Sequence, residues 1–227
     1  MPESWFAIWQ SSLASVSNGL NGSVSSMDMP ALLALAAALG WASGLRLYAV
    51  LFIAGGAGLV GWIELPAGLH VLQHPLMLVA SGFMLVVEFF ADKIPGLDSL
   101  WDVLHTFIRI PGGALLAAGV FGANDGTMAA VAGLLGGTLA ATSLATKASA
   151  RAAANTSPEP FSNISLSLIE DGLVVAALWL ATQHPLVFAV VLAITLLLMG
   201  LLLVTLLKFL KAVFRRIGSW FEAAPAL

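Results

Sequence analysis

Residues 185–207 read Pro185-Leu-Val-Phe-Ala-Val-Val-Leu-Ala-Ile-Thr-Leu-Leu-Leu-Met-Gly-Leu-Leu-Leu-Val-Thr-Leu-Leu207, 23 positions without a charge. About 20 mostly apolar residues suffice for a helix to cross a bilayer core, so this stretch decides the class of fold. Gly126 to Thr146 is a second such run, 21 residues long and uncharged. Leu65 to Val87 is a third, uncharged apart from the histidines His70 and His74 near its start. The whole chain agrees: of 227 residues 59% are hydrophobic and 9% charged, with a mean hydropathy of +0.98. Soluble domains carry about 25% charged residues, and a disordered chain has too little apolar material to resemble this one. The absence of cysteine excludes disulfides, thiolate metal sites and cysteine nucleophiles. A net charge of −3 offers no basic field for nucleic acid.

Two further spans, at about 98–123 and 162–183, are apolar for most of their length and polar at one end. Residues 30–63 are apolar except for Arg46. As one helix they would reach about 50 Å, against a bilayer core of about 30 Å. The expectation is therefore a broken first helix, a half-helix at 30–43 and a span at 45–63, with the break near Ser43-Gly44. The fold class is all-α, a polytopic membrane helix bundle of about six spans, covering residues 30–207. Residues 1–29 form an N-terminal extension without Lys or Arg. It lacks the positive n-region of a secretory signal, and Trp5, Phe6, Ile8 and Trp9 point to interfacial contact. Residues 208–227 form a cytoplasmic basic tail, with Lys208, Lys211 and Arg215 on one helical face, which reads either as a plain stop-transfer anchor or as an amphipathic helix lying on the inner leaflet.

The loops near 64–74, 123–126 and 182–185 hold no Lys or Arg, whereas Lys93, Arg109, Lys147, Arg151 and the tail lie towards the other side. The positive-inside rule makes that side, and the C-terminus, cytoplasmic.

Charged groups within a membrane are costly and face the bundle interior, and here their spacing is regular. Glu88 and Asp92 are four apart. Asp98, Asp102, His105 and Arg109 follow at intervals of four, three and four. Lys147, Arg151 and Asn155 are spaced four and four, and Asn163, Ser167 and Glu170 four and three, with Asp171 adjacent. Each set lies on one helical face, so four helix ends on one side carry polar stripes. Asp98, Asp102, His105 and Thr106 follow Pro95 at the same offsets at which Asn163, Ser167, Glu170 and Asp171 follow Pro160. This reads as a weak internal repeat of helix, prolyl loop and helix, with both loops cytoplasmic.

Carboxylates with a histidine suit a hard cation or a proton relay. Arg46, Lys147 and Arg151 suit a phosphate or another anion. The alternative is internal pairing, Glu88 with Lys147 or Arg151 and Asp102 with Arg109 or Arg46. Gln-His-Pro-Leu at 73–76 and 183–186 reads as helix-start punctuation. Gly56 to Gly61 fits G-x-G-x-x-G but sits inside a span, where small residues serve close packing, as at Gly40/Gly44 and Gly133/Gly137. Pro111-Gly112-Gly113 reads as a kink or a close-packed start to the apolar half of its span.

Several stretches carry a resemblance: Ala42-Ser43-Gly44-Leu45-Arg46, Val87-Glu88-Phe89-Phe90-Ala91-Asp92-Lys93-Ile94-Pro95-Gly96-Leu97-Asp98, Trp101-Asp102-Val103-Leu104-His105-Thr106-Phe107-Ile108-Arg109, Ser157 to Asn163, and Ser167 to Asp171. They resemble a family of bacterial multi-pass membrane proteins catalogued as domain of unknown function 4126, over roughly residues 30–207. The resemblance implies a bacterial inner-membrane location and makes these residues the family's signature, but carries no activity. The functional expectation is a transporter or channel-like protein for a small ion or polar solute. Its cytoplasm-facing cavity would use Arg46, Glu88, Asp92, Asp98, Asp102, His105, Lys147, Arg151, Asn163, Glu170 and Asp171. The alternatives are a lipid-headgroup binder or flippase, and a structural subunit with paired charges. No nucleophile–base pair or metal-ligand motif stands out, so neither catalysis nor a cofactor is expected. The partners expected are membrane lipids and the solute, with a homo-oligomer left open.

Overall fold

A computed structural model of the chain describes residues 27–94, 97–122, 125–156 and 161–222, without the side chains of 98–99, 213–214 and 216–222. Among them lie six α-helices and one 3₁₀ helix, and no strand. The α-helices are α1 (Met29–Leu59), α2 (Pro75–Ala91), α3 (Leu97–Gly119), α4 (Gly126–Ala154), α5 (Phe161–Gln183) and α6 (Pro185–Glu222), and the 3₁₀ helix is Ala67–Gln73. Residues 1–26 and both expected prolyl loops, at Pro95 and Pro160, lie outside the described residues.

The helix starts follow local chemistry. Asp28 accepts from the Ala31 amide at 3.0 Å and Pro30 occupies the first turn of α1. His74 Nδ1 accepts from the Leu76 amide at 3.2 Å ahead of Pro75, and Asp125 caps α4 through Thr127 and Met128. Each side chain satisfies amides that a first helical turn leaves free. The second Gln-His-Pro-Leu likewise opens α6 at Pro185.

Four of the helices are long and apolar enough to cross a membrane, α1 among them only when its length is counted across an internal break, and a fifth counts if the 3₁₀ helix and α2, which meet at 67°, are taken as one bent segment. The chain is a multi-pass helical membrane protein. One expectation is corrected: the run 65–87 is not one straight span, because Pro75 opens a new helix after the 3₁₀ turn. The break in α1, expected near Ser43-Gly44, falls two residues on, at Arg46, whose backbone is extended (φ −148°, ψ 85°).

At that break α1 folds back. Its first limb runs beside α4, with Leu33 near Ala132 and Leu135, Gly40 against Gly136, and Gly44 against Ala140 and Ser143. Its second limb runs antiparallel to α2, with Phe52 against Gly82 and Gly55 against Leu78. Pro30 lines a groove with Pro185, while Ala57, Trp62 and Ile63 line another with Thr182 and Gln183. Both ends of α1 thus lie at the end of the bundle where α5 passes to α6. Limbs of 17 and 13 residues reach about 25 and 20 Å, short of a bilayer core of about 30 Å.

Small residues permit this packing. A Cβ on Gly40 would meet the Gly136 backbone, and one on Gly136 would meet Ala117 and the Gly113 carbonyl. The expected Gly133 and Gly137 contacts also occur, against Ala114 and Ala118 of α3. Gly112 and Gly113, beside Pro111, receive Leu47, Ser43 and Ala140. Gly61 ends the segment after α1 with φ +73°, a conformation open to glycine.

α6 continues unbroken from Pro185 to Glu222, about 57 Å. Lys208, Lys211 and Arg215 are exposed along it and extend the axis of the apolar segment.

Candidate functional site: a buried charge cluster at the break in α1

The break has a direct local consequence. Interrupting a helix leaves carbonyls without their intrahelical donors. The Leu45 carbonyl accepts from Lys147 Nζ at 3.0 Å, a cation at a helix C-terminus. The next side chain, Arg46, is fully buried. Its Nη2 lies 3.0 Å from Asp92 Oδ2 and its Nε 2.9 Å from Asp171 Oδ1. Nη2 also donates to Ser167 Oγ at 2.5 Å. Arg46 therefore ties the break in α1 to the end of α2 and the middle of α5.

Lys147 and Arg151, one turn apart on α4, complete the surround. Lys147 Nζ lies 3.3 Å from Asp92 Oδ2, 3.3 Å from Asp102 Oδ1 and 3.2 Å from Glu170 Oε2. Arg151 Nη2 lies 3.3 Å from Asp92 Oδ2 and 3.0 Å from Glu170 Oε2, and its Nη1 donates to the Asp92 carbonyl at 2.6 Å. Three cations thus converge on a single carboxylate oxygen of Asp92. Beside them, Arg109 bridges Glu88 of α2 and Asp102 of its own helix, the latter at 2.6 Å. Arg46, Glu88, Asp92, Arg109 and Arg151 are all fully buried.

The expected convergence of the stripes holds for Arg46, Glu88, Asp92, Asp102, Arg109, Lys147, Arg151, Glu170 and Asp171. The pairing differs in detail: Asp102 takes Arg109 as anticipated, but Glu88 pairs with Arg109, and Lys147 and Arg151 take Asp92 and Glu170. The α3 stripe faces inward, because Val103, Leu104, Phe107 and Ile108 are the exposed positions between its polar ones.

His105 is buried, but it stands outside the ion pairs. Its Nδ1 donates to the Trp101 carbonyl of the preceding turn at 2.8 Å, and its ring stacks on Trp101 with centroids 4.1 Å apart. Tyr48 meets it edge-on at 5.7 Å. Asn163 is buried and donates to Asn155 at 2.6 Å, fastening α5 to α4. Asp98 occupies the first turn of α3, and its side chain lies outside the described residues. The repeat-related positions therefore do different work: Asp102 binds Arg109 where Ser167 binds Arg46, and His105 stacks where Glu170 meets cations.

Four cations and five carboxylates meet here, leaving one negative charge in excess. Several buried polar atoms in the cluster have no hydrogen-bond partner among the described residues: Arg46 Nη1, Glu88 Oε2, Asp92 Oδ1 and Asp102 Oδ2. Such atoms are costly in an apolar setting. The cluster is closed by its own ion pairs rather than opened as a water-filled cavity. Only Asp171, its side chain 31% exposed, reaches out, into a groove of about 470 Å³ lined mainly by Ile53, Leu85, Phe89, Phe90 and Val175. No group of three metal-ligating side chains occurs among the described residues.

Lys93, in the sequence a marker of orientation and part of the signature run 87–98, was not among the expected site residues. Its Nζ lies 2.8 Å above the Phe89 ring and 3.1 Å from the Phe89 carbonyl, and Phe89 is part of the wall of that groove. Lysine four residues after an aromatic at a helix end was the available signal.

No curated protein and no solved structure matches the chain. The model of the family described as "Domain of unknown function (DUF4126)" matches residues 33–205, a range that contains the break, all four cations and all five carboxylates, and the chain belongs to that family.

Proposed function

We propose that the protein is a membrane transporter for a small ion or polar solute, with the cluster at Arg46 as its solute site and gate, seen closed. The observation that carries this reading is the position of the cluster. It surrounds the apex of a helix that folds back within the bundle and so forms a re-entrant hairpin. Irregular backbone at membrane depth is tolerated where it is buried in protein or lines a pathway, and broken helices beside ionisable groups are the usual architecture of transport sites. A network serving stability alone has a simpler substitute, since apolar replacement of buried ion pairs is often neutral or stabilising. The excess carboxylate and the unpartnered oxygens leave room for a proton, a water or a solute group. Under this reading the basic end is cytoplasmic and the membrane is the bacterial inner membrane.

The test is flux into proteoliposomes, screened over protons, alkali cations, small anions and small polar solutes. Wild type is expected to move one class, and Lys147→Met and Arg46→Gln to abolish that movement while still eluting as folded protein. Vesicles carrying wild-type protein that match empty vesicles throughout would refute the reading. A purely structural network instead predicts charge-swapped double variants of Lys147 and Glu170 with restored stability and no flux in any of them.

A further inference from the structure

Resting on that transport reading, we infer that the solute is an oxyanion, a carboxylate or phosphate group, and that the Asp92 carboxylate occupies its binding site as a tethered plug. Arg46, Lys147 and Arg151 come from two helices and direct nitrogen donors at one point, Asp92 Oδ2, at 3.0, 3.3 and 3.3 Å. A single salt bridge needs one cation. Three around one oxygen form a donor cup of the kind that binds carboxylate and phosphate oxygens. Arg46 Nη1, buried and without a hydrogen-bond partner, is a further donor there.

Charge supports the exchange. The three cations face Asp92, Glu170 and Asp171, and Lys147 also meets Asp102. Withdrawing Asp92 leaves four cations and four carboxylates in the cluster, and one monoanion in its place restores the charge the cluster holds with Asp92 bound. Asp92 is also placed to move. It is the C-cap of α2, outside the regular helix, so its side chain can leave without breaking the α2 ladder. An oxyanion of this chemistry has two sources, free in solution or on a phospholipid headgroup. The second would enter by the groove at Asp171, whose walls are apolar and include Phe89, the ring under Lys93.

The experiment is chemical rescue. Asp92→Ala is purified in detergent and its Tm measured against sodium acetate and inorganic phosphate, with sodium gluconate as the ionic-strength control. A Tm well below wild type is expected, with at least half the loss recovered by acetate or phosphate and little by gluconate. Asp92→Asn keeps the side-chain volume, and its Tm should rise with the same anions if Asp92→Ala fails to fold. Lys147→Met added to either variant should remove the response. Indifference of both Asp92 variants to acetate and phosphate would overturn the anion site. Rescue without flux in the wild type would leave the anion site standing and refute transport. Cation flux without rescue would do the reverse. Uptake of labelled phosphate or acetate by wild-type proteoliposomes identifies a free anion. Scrambling of a fluorescent phospholipid, with neither anion taken up, identifies a headgroup.

Discussion

The first limb of α1 packs against α4 in two contrasting ways within two turns. At Gly40 the backbones of the two helices touch, with no side chain between them. At Leu45 and Arg46 they are held together by a carbonyl, a lysine and ion pairs shared with α2 and α5. The glycine seam works by fit: it is intolerant of volume and indifferent to charge. The cluster works by complementary charge in a setting of low polarity, where one unpaired group is expensive. The seam sets how close the helices lie, and that closeness lets Lys147 reach Leu45.

Four substitutions separate these roles, with stability read from unfolding in detergent. Arg109→Leu strands Glu88 and leaves Asp102 with Lys147 alone, and should cost about 3–5 kcal/mol. Adding Glu88→Met and Asp102→Leu should recover most of that loss, and failure to recover would mean that Arg109 acts by more than pairing. Gly136→Val drives a side chain into Ala117 and the Gly113 carbonyl and should cost about 1–3 kcal/mol or more, equally at low and high salt. A loss that varies with salt would place charge in the seam. Ser167→Ala removes one acceptor from Arg46, which keeps Asp92 and Asp171, and should cost about 1 kcal/mol. Gly172→Ala, on α5 beside the cluster but with open space at its Cβ, should be neutral or gain up to about 1 kcal/mol from helix propensity. A marked loss there would show that the close-packed region extends further.

Much of this was legible in the sequence because membranes simplify the problem. Uncharged runs marked α4 and α6, and the spacing of four and three put Asp102 and Arg109 on one inward face of α3. The break in α1 was legible because 34 apolar residues exceed a bilayer, but its position was not. Ser43 and Gly44 looked like the weak point, yet Gly44 is needed for contact with Ala140 and Ser143, and the chain breaks two residues on, where Arg46 meets its carboxylates. The direction of the second limb was also hidden, because a hydrophobic run carries no mark of which neighbour it will pack against. The identity of the ion pairs was lost for a related reason. Glu88 and Asp92 share one face of α2, and only the heights of α3 and α4 decide that Arg109 meets the first and Lys147 and Arg151 the second. His105 looked like the reactive member of its stripe because composition shows the histidine and not the Trp101 ring beneath it.

The fold-back of α1 is what gathers the stripes around Arg46. The chain has no cysteine, so spin labels can be placed at positions 29 and 59 alone and their separation measured by pulsed dipolar spectroscopy in lipid nanodiscs. A re-entrant hairpin predicts a distance well short of the about 45 Å of an uninterrupted 31-residue helix. A distribution centred near that full length would contradict it.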